Sequence, residues 1–345
     1  MEREGAREQR AVVTLRDVAE ASGVSTSTVS RILDDRGTPS RTATAEKVRA
    51  AAERLGYRRN VLASNLRRGA TGTIGVLVPR LTDAVMALMF EAVERAARRQ
   101  GYFAVVATCG DDAEEEKRAT ETLLDRGVEG LILATARLDD SLPASLRERG
   151  IAHVLVLRTD GVSPSALGDD EIGGYLAARH LLDLGHRDIA IVTGPWFTSS
   201  GQDRLRGAQK AIAEAGVRLP DDRVISTGYG VDAGHDAGLA LLRDSKRPTA
   251  IFAANDNLAI GIIGAAHGLG LLAGQDFSIV GYNDIPLASR LPTPLTSVAT
   301  PFDQIATAAL DQLLTPQGGG SPIRRALPTL IPRASTGAVR AAVSG

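Results

Sequence analysis

A single cysteine, Cys109, in a chain of 345 residues excludes an internal disulfide and any zinc cage of several thiolates, and fits a reducing compartment. It sits among apolar residues in FAVVATC, the setting of a small core hydrophobe rather than a reactive thiol. Long apolar runs are also lacking. Nothing approaches the roughly 20 residues a bilayer-spanning helix needs, and the opening MEREGAREQR is charged where a secretory leader carries an apolar core. No membrane association is expected, and the expected location is cytoplasmic. Aromatic residues make up 3%, too few to supply freely the stacking floor on which proteins hold a pyranose.

Catalytic signatures are missing as well. No G-x-x-x-x-G-K-[ST], H-E-x-x-H or G-x-S-x-G occurs, and the five histidines (His153, His180, His186, His235, His267) show no metal-ligand spacing. His186, in LGHRDIAIV, reads as a structural residue ahead of a strand. HGLGLLAG holds G-x-G-x-x-A at Gly268, Gly270 and Ala273, but it ends a helix where a dinucleotide site would open one. An enzyme is not expected, nor a cofactor or metal.

Charge is distributed unevenly. Residues 1–70 carry 14 Lys+Arg against 9 Asp+Glu, a net +5, and the remainder carries 26 against 32, a net −6. A basic head on an acidic body suggests an anionic partner for the head alone, although Arg-rich helical segments are also found simply solvated. Within the head, TLRDVAEASGVSTSTVSRIL spaces Leu15, Val18, Ala19, Val24, Val29, Ile32 and Leu33 as two short helical patterns around Gly23. Gly23 falls where a tight turn needs positive φ, and Ser25 is placed to cap the second helix. This is a helix-turn-helix pattern, whose second helix would offer Thr26, Ser27, Ser30 and Arg31 to a DNA major groove, with Thr14 and Ser25 as further candidate contacts. Hydroxyls adapt to base edges or phosphates, and an arginine can bond a guanine in bidentate fashion. A third helix is predicted over about residues 42–56, with Val48, Ala51, Ala52 and Leu55 closing the core and Thr44 as its cap. An Ala-rich protein-docking module is the competing reading, but turn, cap, polar face and charge sign all favour DNA.

Beyond the head, IGVLV, FAVVAT, GLILA, HVLVL, IAIVTG, RVIST, TAIFAA and FSIVGY are strand candidates separated by amphipathic helical stretches. Continuous Val/Ile/Leu runs alternating with helices predict parallel sheets covered on both faces, and this many strands predicts two doubly wound lobes. PQGGGSP at 316–322 reads as a flexible loop before the last strand, and the tail after Ser335 shows no heptad for a tetramerising coil.

The words TLRDVAEASGVSTSTVSRIL and EKVRAAAERLGY resemble the lactose-repressor/galactose-repressor (LacI/GalR) family of bacterial regulators. The resemblance continues through NVLASNLRRG, similar to the family's hinge helix, and through DDEIGGYLAARHLLDLGHRDIAIVTGP, DRLRGAQKAI, PTAIFAANDNLAIGIIGA and IVGYNDIPLASRLPTPLTSV. It implies an all-α head plus a periplasmic-binding-protein-like α/β body of two doubly wound parallel-sheet lobes with an effector cleft between them. The implied divisions are a tail (1–12), the helix-turn-helix domain (13–58), hinge and linker (59–71), the body (72–338) and a tail (339–345). One lobe would comprise 72–162 plus 293–325, and the other 163–292 plus 326–338.

The resemblance makes Leu66 a minor-groove wedge, with Asn60, Ala63 and Arg67 lining the DNA or the partner hinge; a plain linker is the competing reading. It makes Arg204 and Asp256 the main effector contacts, unless they form an inter-lobe ion pair, and Tyr229 a stacking aromatic. Asp83, Asp169 and Asp170 are further candidates, with helix capping as their alternative, and Trp196 and Phe197 could add an aromatic surface. The chain departs from the pattern at Arg59, where the family has a proline, at Thr44-Ala45 for the usual Thr-Arg, and at Val85 and Met86 for two adjacent aromatics. Thr198 stands where purine-responsive members have an arginine, so a sugar or sugar derivative is the expected effector. The expected protein is a homodimeric regulator, most often a repressor in this family, on a near-palindromic operator. A solute-binding or sugar-sensing protein without a transcriptional role is the alternative.

Overall fold

The computed structural model describes residues 13–33, 42–57, 71–244, 246–315 and 322–339. The chain separates into two compact units, Met1–Thr71 and Gly72–Gly345.

The first unit contains α1 (Leu15–Ser22), α2 (Thr26–Ile32) and α3 (Ala43–Leu55). Thr14 starts α1 with a capping box: its backbone N–H donates to Asp17 at 2.7 Å, and its hydroxyl accepts from the Asp17 N–H. Gly23 ends α1 at φ 71°, a left-handed conformation that costs glycine little, and its N–H donates to the Ala19 carbonyl at 2.9 Å. Two residues on, Ser25 caps α2 by accepting from the Thr28 N–H. The turn is therefore made by the two residues the sequence pointed to. Val18, Val29 and Val48, one from each helix, are wholly buried together with Ala19, Ala51 and Ala52, and Leu15, Val24, Ile32 and Leu55 close the rim. One expectation needs correcting: the cap of α3 is Thr42, whose hydroxyl accepts from the Ala45 N–H, and Thr44 is an exposed residue within the first turn.

The second unit is built on two six-stranded sheets. In the first, the strands are β1 (Thr73–Val78), β2 (Phe103–Thr108), β3 (Leu131–Leu133), β4 (His153–Val156), β5 (Ser165–Gly168) and β11 (Ile323–Ala326), in the order β11-β5-β4-β3-β1-β2 and all parallel. The second holds β6 (Ile189–Thr193), β7 (Val224–Ser226), β8 (Ala250–Ala253), β9 (Ser278–Asn283), β10 (Thr296–Ala299) and β12 (Thr329–Ile331), in the order β12-β10-β9-β8-β6-β7. It is parallel except that β12 runs antiparallel to β10. The helices between them are α4 (Ala84–Arg99), α5 (Ala113–Asp125), α6 (Leu142–Glu148), α7 (Asp170–Asp183), α8 (Ser199–Glu214), α9 (Val231–Leu242), α10 (Asp256–Gly268) and α11 (Phe302–Leu314).

Strand alternation sorts side chains between the helix layers. Ile189 and Ile191 pack with Ala177, Leu181, Leu205 and Ala208 of α7 and α8, while Ala190 and Val192 pack with Leu241, Leu258 and Ile262 of α9 and α10. In the first lobe Ile74, Val76 and Val78 meet Met89 and Val93 of α4 and Ile305 of α11, and Leu77 and Leu133 meet Leu123 and Leu146 on the other face. Glycines bring α7 and α8 into backbone contact. A Cβ on Gly174 would lie 2.0 Å from the Arg204 carbonyl oxygen, and one on Gly207 would lie 1.9 Å from that of Glu171.

All eight strand candidates are strands, and the last strand expected after residues 316–322 is present as two short ones, β11 and β12, but β5 and β10 escaped the sequence reading. Ser165 and Ser297 interrupt β5 and β10 with buried hydroxyls, which break the continuous apolar signal. Because β5 belongs to the first sheet and β10 to the second, the chain leaves the first lobe after Gly168 rather than after 162. It returns after Ala299 rather than at 293. The last crossing, between Ala326 and Thr329, falls close to the expected one.

Candidate functional site

In an open α/β sheet ligands gather beyond the carboxyl ends of the strands, and here both sheets present such ends to one cleft. Its walls are Asp83, Val85 and Met86 after β1, Leu157 and Arg158 after β4, Ser200 and Arg204 of α8, Tyr229 after β7, Asn255 after β8, and Asn283 at the end of β9. The space between them is about 370 Å³, counting the part open to solvent. Three of these positions are set by helix starts. Asp83 caps α4 by accepting from the Val85 N–H at 3.0 Å, Asn255 caps α10 by accepting from the Leu258 N–H at 2.8 Å, and Ser200 lies in the first turn of α8. Two are held in unusual backbone: Leu157 at φ 63° and Asn283 at φ 97°. Non-glycine residues in that region are sparse and gather at ligand sites.

Arg204 is a wall already engaged. Its Nε donates to Asp170 at 2.7 Å, its Nη1 donates to the Ala254 carbonyl at 2.6 Å, and its guanidinium lies 3.7 Å over the Tyr282 ring. Burial opposes the guanidinium charge, but Asp170 outweighs it and holds the group protonated well above the ordinary value. Burial pushes the Asp170 carboxyl upward while Arg204 pulls it back. Since arginine does not surrender its proton and the contact is short, the pair is ionised. Arg204 therefore presents an edge to the cleft, while Asp170 lies behind it. The Arg204–Asp256 ion pair, the alternative to their effector role, does not occur.

Asp256 is a correction of the same kind. It is fully buried, and both oxygens are committed, Oδ1 to the Ser297 hydroxyl at 2.6 Å and Oδ2 to the Ile285 N–H at 2.8 Å. Burial pushes its carboxyl up to about 7. It ties α10 to β10 and does not line the cleft; the neighbouring Asn255 does. Thr198 is also buried: it donates to the Pro195 carbonyl at 2.7 Å and meets the Tyr229 hydroxyl at 3.0 Å, so it positions the ring without reaching the cleft. Trp196 points outward, 55% exposed, and Phe197 lies under the Arg137 guanidinium at 3.6 Å. Asp169 caps α7 through the Ile172 N–H.

Of the expected residues, Asp83, Val85, Met86, Arg204 and Tyr229 line the cleft. Leu157, Arg158, Ser200, Asn255 and Asn283 were missed. Each lies at or just after a strand end or in a first helical turn, so strand-end position was the available signal. The lobes meet through the Asn257 amide to Asp83 at 3.4 Å, the Thr159 N–H to the Ser199 hydroxyl at 2.9 Å and the Leu138 N–H to the Phe197 carbonyl at 2.9 Å.

The second candidate surface is α2. Val29 faces the core, while Thr26, Ser27 and Arg31 are exposed and Ser30 is half-buried. Ser25 and Thr14 act as helix caps. Asn60, Ala63, Leu66 and Arg67 lie outside the described residues. No group of three or more His, Cys, Asp or Glu that could hold a metal occurs among the described residues. Burial pushes the Cys109 thiol up to about 12, and His186 is bonded to Thr249, Ser278 and Gly337. Neither is disposed for chemistry.

Comparison with known proteins matches residues 14–60 to the bacterial regulatory proteins of the lacI family and residues 178–336 to the periplasmic binding protein-like domain. The ribose operon repressor of Escherichia coli strain K12 is 34% identical over 306 residues, covering 88% of this chain and 92% of the relative. This chain belongs to the LacI family. A second LacI-family relative, the transcriptional repressor PurR of Vibrio campbellii, is 31% identical, covering 88% of this chain and 91% of its own length. The lac repressor dimer bound to operator superposes with a TM-score of 0.80 at 29% identity, covering 94% of this chain and 99% of that one. The protein is a DNA-binding transcriptional repressor of the LacI family with a small-molecule effector, not an enzyme. The solute-binding alternative falls with the head, which such a protein has no use for. No helix among the described residues is long and apolar enough to cross a membrane.

Proposed function

We propose that the protein is a cytoplasmic homodimer that represses from a near-palindromic operator and is controlled by a sugar or sugar derivative bound between the lobes. The observation that carries the effector reading is the convergence of Asp83 from one lobe and Ser200, Asn255 and Asn283 from the other on one cleft. Carboxylate, hydroxyl and amide groups set at fixed angles suit a polyhydroxylated ligand, and Tyr229 offers a single aromatic face. The similarity to the ribose operon repressor supports a pentose-sized molecule. Thr26, Ser27, Ser30 and Arg31 are the proposed base and phosphate contacts, and residues 60–69 the proposed hinge. A ligand touching both lobes changes their closure and thereby the population competent for DNA. That coupling is reciprocal.

Selection from random duplexes, followed by anisotropy with the selected duplex, tests the reading. Arg31→Ala is expected to erode discrimination between operator variants by tenfold or more, about 1–3 kcal/mol for a bidentate guanine contact. Failure to enrich any duplex, with and without sugars, defeats the reading.

A further inference from the structure

Arg158 is the one group of the cleft that the reading above leaves unexplained. It follows β4, is 6% exposed and lines the cleft, yet among the described residues its guanidinium makes no hydrogen bond and no ion pair. It lies 5.6 Å from the Tyr229 ring across the lobes, and Asp83 and Glu116 on its own lobe act on it electrostatically without reaching ion-pair distance. The other cleft arginine, Arg204, has Asp170 and the Ala254 carbonyl. The acid on Arg158's own wall, Asp83, stays beyond ion-pair distance and has one oxygen committed to the start of α4 and to Asn257. A largely buried guanidinium with no hydrogen bond or ion pair of its own keeps its donors available for a negative group.

A second observation points to the same place from the opposite lobe. The sixteen-residue helix α8 begins without a side-chain cap. Thr198, in the capping position, spends its hydroxyl on Pro195 and Tyr229, and Ser199 spends its own on Thr159. The first-turn amides of α8, which carry partial positive charge, are thus left without a side-chain oxygen beside Ser200, itself a wall of the cleft. A buried unpartnered guanidinium and an uncapped helix start, one from each lobe, together make a receptor for a negative group.

We propose that the effector is anionic, a polyhydroxylated molecule bearing a carboxylate or a phosphate that Arg158 and the start of α8 receive, while its hydroxyls meet Asp83, Asn255 and Asn283. The inference rests on the sensor reading and narrows it to a sugar acid or sugar phosphate. Because its two anchors lie on different lobes, the anion bridges them and favours their closed arrangement.

The test compares the full-length wild type with Arg158→Met and Arg158→Lys by calorimetry and thermal shift. The ligands are ribose, ribonate and ribose 5-phosphate, with inorganic phosphate and acetate at tens of millimolar as probes that need no correct stereochemistry. At least one anion is expected to protect the wild type beyond chloride at equal ionic strength. Arg158→Met should weaken that anion tenfold or more, and Arg158→Lys should retain part of the affinity. Whether phosphate or carboxylate compounds dominate decides between the two sources. Without ligand, Arg158→Met should melt no lower than the wild type, whereas an arginine kept for structure would melt lower when lost. Absence of protection by every anion overturns the proposal, as does equal anion binding by Arg158→Met. Tight binding of neutral ribose that shifts operator affinity, with anions excluded, would overturn the anion proposal and leave the sensor reading standing.

Discussion

Removing the charge of Asp170 while keeping its shape tests the interpretation of the second lobe. Asp170 and Arg204 have side chains only 6% and 7% exposed and lie 2.7 Å apart. Two unit charges about 4 Å apart at an effective dielectric of about 20 attract by about 4 kcal/mol. Asp170→Asn leaves the guanidinium buried and unable to discharge, with the Ala254 carbonyl and the Tyr282 ring as partial compensation, so a loss of about 3 kcal/mol is expected. Arg204→Met is milder at pH 6, because a carboxyl that burial already pushes upward can take a proton. Replacing both, Asp170→Asn with Arg204→Met, removes the two buried charges together, so the double variant loses clearly less than the sum of the singles. Urea unfolding followed by circular dichroism reads all four proteins as a double-mutant cycle. A loss under about 1 kcal/mol for Asp170→Asn, or a double variant that loses the sum of the singles, refutes the argument.

Three further outcomes follow from other parts of the molecule. Burial pushes Glu116 up to about 7, against the hydrogen bond it accepts from Thr135. The folded protein therefore keeps a proton the unfolded chain has lost, and stability falls as pH rises from about 4.5 to about 7 by up to about 3 kcal/mol; Glu116→Gln should flatten that slope, and an unchanged slope in urea titrations would count against it. Gly174→Ala gains about 1 kcal/mol in helix propensity but drives a Cβ to 2.0 Å from the Arg204 carbonyl oxygen, so a net loss of about 1–3 kcal/mol is expected, and an unchanged or raised melting temperature would show that α7 and α8 can separate freely. In the head, Thr42→Ala should cost about 1 kcal/mol and Thr44→Ala nothing measurable; hydrogen exchange of α3 amides compares them, and the reverse order would restore Thr44 as the cap.

The head was legible because its signals are local. Thr14, Gly23 and Ser25 do their work within four residues in sequence, and the apolar spacing of Val18, Val29 and Val48 shows directly which faces meet. The eight apolar strands were legible for the same reason. Ser165–Gly168 and Thr296–Ala299 were not, because a short strand interrupted by buried hydroxyls has no continuous apolar or alternating signature. The cleft was half legible. Asp256 and Asn255 are adjacent, and only the chain's path decides that the carboxylate turns inward to Ser297 and Ile285 while the amide faces the cleft. Residue type favoured the charged neighbour; geometry favoured the amide. Arg158 carried only its position just after a strand end, since the lack of a bonded partner is visible in three dimensions alone.

The two lobes are interleaved along the chain, and this has a consequence for synthesis. The first sheet lacks its edge strand β11 and the covering helix α11 until residues 302–326 have emerged, and the second lacks β12 until 329–331. Neither half can finish as an autonomous folding unit while the chain is still growing, so both close late and almost together on the ribosome. Nascent chains stalled before Phe302 should expose unpaired strand edges of both sheets at once, making that window the stage at which chaperone capture or aggregation is decided.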